Sequence, residues 1–524
     1  MLRRTTLLVE LLLLGALILT TRCANYQDVF VGRNIYFTDA DCYSRMTRVR
    51  ICAQHPGTIV RRHDFENFPF GTTPHTTAPL DYSILGLSLF LRPFTHQAID
   101  LAGALISPLL ALLGAYFLCW WSRRMNLRYR WALLLLFALS PILVHGTQLG
   151  RPDHQSLAIV LVLVALCSEW LVRVEQAQRW SVLSGIAWGA AIWVTGYEPL
   201  IMLIFLLLFG LLQDRHLIFG NHRRIGWIWC AAILLVAFVI ERRIPSLSFM
   251  HPTAAFRNWS RTIGELAPVS PLDAIWFRWT GYMIVIVPAL ILWNSFIAKP
   301  AGHRPKGSLP IFLTGLLLAT YCLTIWQARW SYFFVVIFIL VLPRLLEPIK
   351  FRAAVWFAIL LSMLPILRDW DETIWPNEPD SVRVIERRRE AIELREIGLN
   401  LMSSQREAFL APWWLSPSIA YWSGQPGVAG SSHESLPGIL ESAEFFLSQD
   451  MTTAREILRR REVVWVVAYD ADRVEANAAA VLGREPVHSS FARLLDRKPA
   501  QVAPFLLSFA QNGTAKLFRV VNPR

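Results

Sequence analysis

Eleven apolar segments decide what this chain can fold into, because each must be buried in lipid or in a protein core. They cover roughly residues 7–21, 99–121, 131–147, 156–172, 181–196, 199–212, 226–240, 275–297, 309–326, 331–346 and 353–369. A straight membrane span takes about 20 apolar residues and several segments are shorter, so the expected fold is a polytopic α-helical membrane protein with about 11–13 transmembrane helices. Composition agrees: 54% of the 524 residues are hydrophobic and only 17% are charged, where a soluble domain carries about 25%. The formal charge of +13 does not point to nucleic acid, because Lys and Arg are scattered through short loops and not gathered on one soluble domain.

Loop charges give the expected orientation. Met1-Leu-Arg-Arg precedes the first apolar stretch, which is interrupted only by Glu10. No small-x-small cleavage site precedes Arg22-Cys23, so this stretch reads as an uncleaved first helix with its N-terminus inside. Loops 122–130 (Arg123, Arg124, Arg128, Arg130), 213–225 (Arg215, Arg223, Arg224), 298–308 (Lys299, Arg304, Lys306) and 344–352 (Arg344, Lys350, Arg352) then all fall inside. Residues 22–98, 148–155, 241–274, 327–330 and everything after 370 fall outside. The expected division is a membrane domain over 1–370 and a C-terminal soluble mixed α/β domain over 371–524. In the latter, Ser381–Leu401 reads as charged helix and Val463–Tyr469 as a strand.

Seven cysteines are too few and too dispersed for a disulfide scaffold. Cys119, Cys167, Cys230 and Cys322 lie in apolar runs and read as inert packing residues. Cys23, Cys42 and Cys52 lie in the first external loop, where a bridge such as Cys42–Cys52 would need an oxidising side, and three cysteines leave one odd.

Four polar clusters fall on the outer side: Asp39-Ala-Asp41, Arg151-Pro-Asp153-His154-Gln155, Thr262-Ile-Gly-Glu265 and Gln327-Ala-Arg329. Gathered carboxylates suit a hard divalent cation such as Mg2+ or Mn2+, and an arginine nearby suits a phosphate-bearing substrate. Each cluster also has a bland reading. Asp39, Asp41 or Asp153 would cap a following helix, Glu265 would be a solvated loop acid, and Arg329 beside Trp330 would anchor a helix at the interface. Glu198, in Gly196-Tyr-Glu-Pro199, is a further outward acid that would line a cavity or cap a helix.

Taken in order, the clusters resemble the oligosaccharyltransferase catalytic subunits, the PglB and AglB group of C-type glycosyltransferases. Asp41-Cys-Tyr43, followed by Phe68–Gly71 and Pro79–Asp81, is similar to the family's first external loop, with Arg45 where the family has a histidine. Asp153 matches the first metal-binding position of the second motif, whereas Gln155 stands where the family has a charged or imidazole ligand. An amide there offers only a carbonyl oxygen. Thr262–Glu265 resembles the TIxE motif, and Arg329 stands where the family places an arginine that meets the lipid-linked pyrophosphate. Trp413-Trp414 is similar to the start of the WWDYG motif that recognises the acceptor, but Leu415 replaces its aspartate. Gly430-Ser-Ser-His433-Glu434 resembles a family segment that ends in histidine.

The resemblance implies a GT-C-like fold and transfer of a sugar or oligosaccharide from a polyprenyl-(pyro)phosphate donor to a protein, peptide or glycan acceptor. It implies Asp41 and Glu265 as catalytic acids. It also implies a Mg2+ or Mn2+ ion held by Asp41, Asp153 and Glu265 with Gln155 or His154, a donor phosphate on Arg329, and an acceptor near Trp413, Trp414 and His433. The expected setting is a prokaryotic inner membrane, with the N-terminus cytoplasmic and the site facing the periplasm. The missing WWD acid leaves open a lipid, glycan or non-sequon protein acceptor, or an inactive relative. From another class, a polar-lipid transporter would place ionisable residues at mid-membrane depth; here they lie mostly at the outer interface.

Overall fold

The computed structural model describes residues 2–213, 216–243, 253–297, 309–487, 489–502 and 505–521. Arg215, the loop 298–308 with Lys299, Arg304 and Lys306, and the 244–252 part of the second external loop lie outside the described residues. The chain divides into two compact units. The first comprises Met1–Gln27, Gly103–Ile240 and Pro268–Asn377, and the second Asp28–Ala102, Glu241–Ala267 and Glu378–Arg524.

The first unit is helical. Each of the eleven apolar segments is helix over most of its described length. Among the described residues, five helices are long and apolar enough to cross a membrane: Thr5–Arg22, Ala98–Arg124, His154–Glu175, Asn221–Glu241 and Ala328–Leu346. Helices of this length and composition make the chain an integral membrane protein. Arg352–Ser362 and Leu364–Ile374 form a pair bent by 41°, and the bend falls where Pro365 opens the second helix without an N–H to give. Shorter apolar helices run over Arg130–Leu139, Tyr197–Gln213, Met283–Trp293 and Ile311–Trp326.

Ser331–Leu346 is the most deeply set helix: all its residues except Arg344 are buried. Its sequence is apolar on every side, the pattern of a helix enclosed by others. The short Ala328–Trp330 turn that carries Arg329 is therefore attached to the most constrained helix of the unit.

A broken helix explains the role of Arg22. Arg130–Leu139 ends before Pro141, which has no N–H to return to the Phe137 carbonyl. Arg22, wholly buried, supplies the donors instead. Its Nη2 donates to Phe137 O at 2.7 Å, its Nη1 to Ala138 O and to Thr21 Oγ1 at 3.0 Å. Its Nε donates to Thr147 Oγ1 at 2.9 Å. In hydrocarbon a carbonyl without a donor is costly, so this one side chain makes the break tolerable.

The second unit contains a two-stranded ladder, β1 (Phe30–Val31) with β2 (Asn34–Ile35), and a four-stranded sheet. The sheet comprises β3 (Ala408–Leu410), β4 (Val463–Ala468), β5 (Leu506–Gln511) and β6 (Lys516–Val520), in the order β3-β4-β6-β5. β3 and β4 are parallel and the other pairs antiparallel. The strand expected at Val463–Tyr469 is β4, and the charged run expected over Ser381–Leu401 is the helix Glu378–Asn400.

The first external loop folds as part of this unit. Gly427 N donates to Phe65 O at 2.9 Å, and Phe68 N to Gly427 O at 3.2 Å. Arg461, 1% exposed, donates to Asn67 Oδ1 at 2.9 Å and Phe68 O at 3.1 Å while paired with Glu441 at 2.7 Å. Arg50 stacks 3.6 Å over the Tyr421 ring and donates to Tyr421 O at 2.9 Å.

Within the loop, the helices Ala40–Gln54 and Ala78–Leu91 are locked by a buried charge triad. Asp81 accepts from Arg45 at 2.6 Å and from Arg48 at 3.2 Å, with all three side chains at most 6% exposed. Arg45, where the resembled family has a histidine, is thus a structural partner of Asp81. The bridge between Cys42 and Cys52 does not form, and all seven cysteines are free thiols. Both belong to the helix Ala40–Gln54, where ten residues of rise separate them by about 15 Å, beyond the reach of a disulfide.

Two stability changes are expected. Arg22→Leu strands the Phe137 and Ala138 carbonyls at roughly 1–3 kcal/mol each, and should lower the thermal unfolding temperature of the detergent-solubilised chain. Asp81→Asn leaves two buried guanidinium groups without their anion, a loss of roughly 3–5 kcal/mol, readable in the same measurement.

Candidate active site

In the first unit, Asp153 occupies the N-cap position of the helix His154–Glu175, yet its side chain caps nothing. Its carboxylate lies 2.6 Å from His154 Nδ1 and 3.8 Å from Arg151 Nη2, and the residue is 6% exposed. With Nδ1–H given to Asp153, the acceptor lone pair of His154 resides on Nε2, the carboxylate–histidine arrangement that orients metal-binding imidazoles. Gln155 follows in the same first turn and is buried. Arg151 Nη1 donates to His145 Nε2 at 3.3 Å, and His145 Nδ1 is 2.9 Å from Tyr332 Oη. An arginine only donates, so His145 accepts at Nε2 and gives its proton to Tyr332. That chain of bonds joins the Asp153 loop to the helix that follows Arg329.

Arg329 pairs through Nη2 with Glu198 Oε1. Glu198, whose role the sequence left open, lies in the first turn of Tyr197–Gln213 and is 2% exposed. The helices Tyr197–Gln213 and Ile311–Trp326 frame an apolar groove of about 390 Å³ lined by Phe205, Phe209, Leu318, Ala319 and Trp326 among others. Trp326 closes the helix just before Arg329, so the Arg329–Glu198 pair stands at the ends of the same helices that form the groove.

In the second unit, the helix-capping work at Ala40–Gln54 falls to Asp39, whose Oδ1 accepts from Cys42 N at 2.9 Å. Asp41, exposed in the first turn, is not needed for it. The structure brings to Asp41 two residues that the sequence reading missed. Desolvation by the groups packed around its half-exposed ring lowers the pKa of His75, but the charges of Glu434 and then of Asp41 outweigh it and raise the pKa. His75 Nδ1 is 2.9 Å from Glu434 Oε1, and His433 Nε2 is 3.4 Å from the same oxygen. Burial alone would raise Glu434, but His75 and then His433 hold its carboxyl well below the usual carboxylate range. Glu66, 2% exposed, is pushed up to about 7 by burial, against a hydrogen bond from Ser44.

His75 sits in Pro74-His-Thr-Thr77 between the two loop stretches that carried the resemblance. Its segment is clamped from both sides. Thr77 fails to cap Ala78–Leu91 with its side chain, and Glu241 Oε1 accepts from Ala78 N at 2.9 Å instead. Arg243 donates to Pro74 O and, at 2.6 Å, to Thr76 O, and pairs with Glu241 at 3.0 Å.

The remaining expected residues of this unit form a neighbouring aromatic set. Phe256 and Trp259, on the helix Ala254–Ser260 that leads into Thr262–Glu265, meet the rings of His433 (centroids 6.4 Å apart) and Trp413 (6.0 Å). Trp413 Nε1 donates to Asn477 Oδ1 at 2.8 Å, and Trp414 packs on Trp413 and Tyr469. Glu265 lies in the short Gly264–Leu266 turn and is half-buried. Leu415 is 6% exposed within the apolar core around the sheet. Asp41 and His433 thus stand with His75 and Glu434, and Trp413 and Trp414 with the Ala254–Ser260 helix. Asp153, His154, Gln155 and Arg329 belong to the first unit.

No protein-family model matches the chain, and no curated protein matches it. Solved structures do match. The oligosaccharyltransferase of Archaeoglobus fulgidus, tethered with an acceptor peptide containing the NVT sequon, aligns with a TM-score of 0.66 at 14% identity, over 98% of this chain and 74% of that one. The same values hold for its AglB complex with an inhibitory peptide and a dolichol-phosphate. Its complex with Zn and sulfate aligns at 0.64 with 15% identity, over 98% and 73%. ArnT from Cupriavidus metallidurans in the apo state aligns at 0.54 with 12% identity, over 98% of both chains. The chain has the fold these membrane enzymes share, the C-type glycosyltransferase fold that its motif order resembles.

Proposed function

We propose that the chain is a membrane glycosyltransferase that takes a sugar or oligosaccharide from a polyprenyl-(pyro)phosphate donor. The observation that carries this reading is the apolar groove between Tyr197–Gln213 and Ile311–Trp326 with Arg329 at its end. A polyprenyl tail would lie in the groove, and its phosphate would accept from the Arg329 guanidinium, whose planar fork matches phosphate oxygens. Dolichol-phosphate in the Archaeoglobus complex has the same two-part chemistry, an apolar tail and an anionic head.

In the transfer step the acceptor nucleophile bonds to sugar C1 as the bond from C1 to the phosphate oxygen breaks. The lipid phosphate leaves with the electron pair, and the acceptor proton passes to a carboxylate, for which Asp41 and Glu265 are the candidates. Carboxylates that suit a divalent cation such as Mg2+ or Mn2+ stand in both units, Asp153 in the first and Asp41 and Glu265 in the second. His154 Nε2 is a stronger donor than the Gln155 amide. When bound, such an ion would supply Lewis-acid neutralisation of the departing phosphate.

Burial of Leu415 favours one refinement of the acceptor. The resembled family reads the hydroxyl residue of an Asn-x-Ser/Thr sequon with an aspartate at this position, and a buried leucine offers no such contact. This favours a lipid, a glycan or a protein site chosen by other means over a sequon asparagine.

Transfer from a labelled polyprenyl-linked donor in purified membranes tests the reading. Arg329→Ala, made also with Glu198→Gln so that no acid is left without its partner, should lower transfer by on the order of 10²-fold. Full activity in the double variant overturns the phosphate assignment. Leu318→Trp narrows the groove and should raise KM for a long-chain donor while sparing a short-chain analogue. An equal effect on both donors argues against a tail in the groove.

A further inference from the structure

We propose that His75, His433 and Glu434 form a binding site for a divalent transition-metal ion, with the charge of Asp41 and the buried Glu66 carboxyl beside it. One ligand atom from each residue lies within 4.8 Å of the other two. The Glu434 carboxylate stands between two imidazoles, 2.9 Å from His75 Nδ1 and 3.4 Å from His433 Nε2, with ring centroids 5.1 Å apart. Ligands at 2.0–2.1 Å from a tetrahedral zinc are about 3.3 Å from one another. The cluster therefore needs shifts of a few tenths of an ångström at the carboxylate, and a modest approach of the two rings, to close on an ion.

The donor set names the class of ion. Two imidazole nitrogens and one carboxylate suit Zn2+, Co2+ or Mn2+ and leave positions for water or an anion, whereas Mg2+ and Ca2+ prefer oxygen ligands throughout. Access agrees, since the His75 side chain is 38% exposed while those of His433 and Glu434 are 20% and 9% exposed.

A separate observation points to the same place. Glu66 is 98% buried, its Oε1 has no hydrogen-bond partner among the described residues, and it feels the charges of Glu434 and His75. Its carboxylate also packs against Gly430, so closely that any Cβ there would fall 2.5 Å from it. Gly430 opens the Gly430–Glu434 segment that delivers both ligands, which ties a buried acid to the backbone of the site. The clamp on Pro74 and Thr76 by Arg243 holds the segment of the third ligand. His433, assigned to the acceptor by resemblance, becomes a metal ligand in this assignment. The site uses second-unit residues alone and does not require the transfer reaction.

The test is metal binding by the full, untagged chain in detergent after stripping with EDTA. Titration with Zn2+ is followed by equilibrium dialysis, and titration with Co2+ by its visible d–d absorption, which reports nitrogen ligation in a low-symmetry site. Glu434→Gln and His433→Asn should each weaken one equivalent by more than the roughly 100-fold that loss of an outer-shell partner costs. Asp153→Asn should keep that equivalent. Thermal unfolding of the metal-free proteins checks that each variant is folded, and the isosteric Glu434→Gln decides the matter if His433→Asn is not. Binding equal to wild type in Glu434→Gln, or no uptake by the wild type, overturns the site. Because Arg329→Ala leaves these ligands untouched, loss of transfer with metal binding intact separates failure of one reading from failure of the other.

Discussion

Guanidinium groups that donate to stranded carbonyl oxygens hold both units in shape. Arg22 takes Phe137 and Ala138 at a proline break, and Arg344 takes Met125 O at 3.0 Å at the end of a helix. In the second unit Arg50 takes Tyr421, Arg461 takes Phe68 and Arg243 takes Pro74 and Thr76. These carbonyls lie at helix ends and in loops, where no ladder or helical turn reaches them. A planar fork with five donors bridges two or three such acceptors at once, which an ammonium on a flexible stem does not. Of the 51 basic residues all but five are arginine, so the positive excess that reads as loop charge also serves as interior bonding.

The helices were legible because lipid and a protein interior both demand unbroken apolar runs. What hydropathy cannot read is how the segments between them are satisfied. The break at Pro141 looks like a blemish within segment 131–147, and its partner Arg22 lies more than a hundred residues upstream. The membership of the first external loop was hidden for the same reason. Residues 65–68 are held by Gly427 and Arg461, contacts with no local periodicity to announce them.

Of the candidate site, the acids were legible and much of their company was not. Asp41 and Asp153 stood out as charges in motif order beside apolar segments, and the cap positions explain why a bland reading competed. The structure separates the two cases: Asp39 caps by its side chain, whereas Asp153 occupies a cap position and turns its carboxylate to His154. His75 passed unnoticed because a lone histidine among threonines and prolines carries no spacing signal. Glu434 was overlooked beside the histidine that drew attention. Glu241 and Arg243, which position the His75 segment, lie over 160 residues away in sequence. Cysteine spacing alone does not decide a bridge, and here two thiols in one loop are two thiols on one rigid helix.

The bonds of Arg22 carry a consequence for the order of assembly. A chain is made from its N-terminus, so the donor is in place before the segment that needs it leaves the ribosome. When residues 130–147 follow, the partner of their interrupted helix has already been made. In the order of synthesis the donor thus precedes the carbonyls it serves, and most of the bundle's helices come after both.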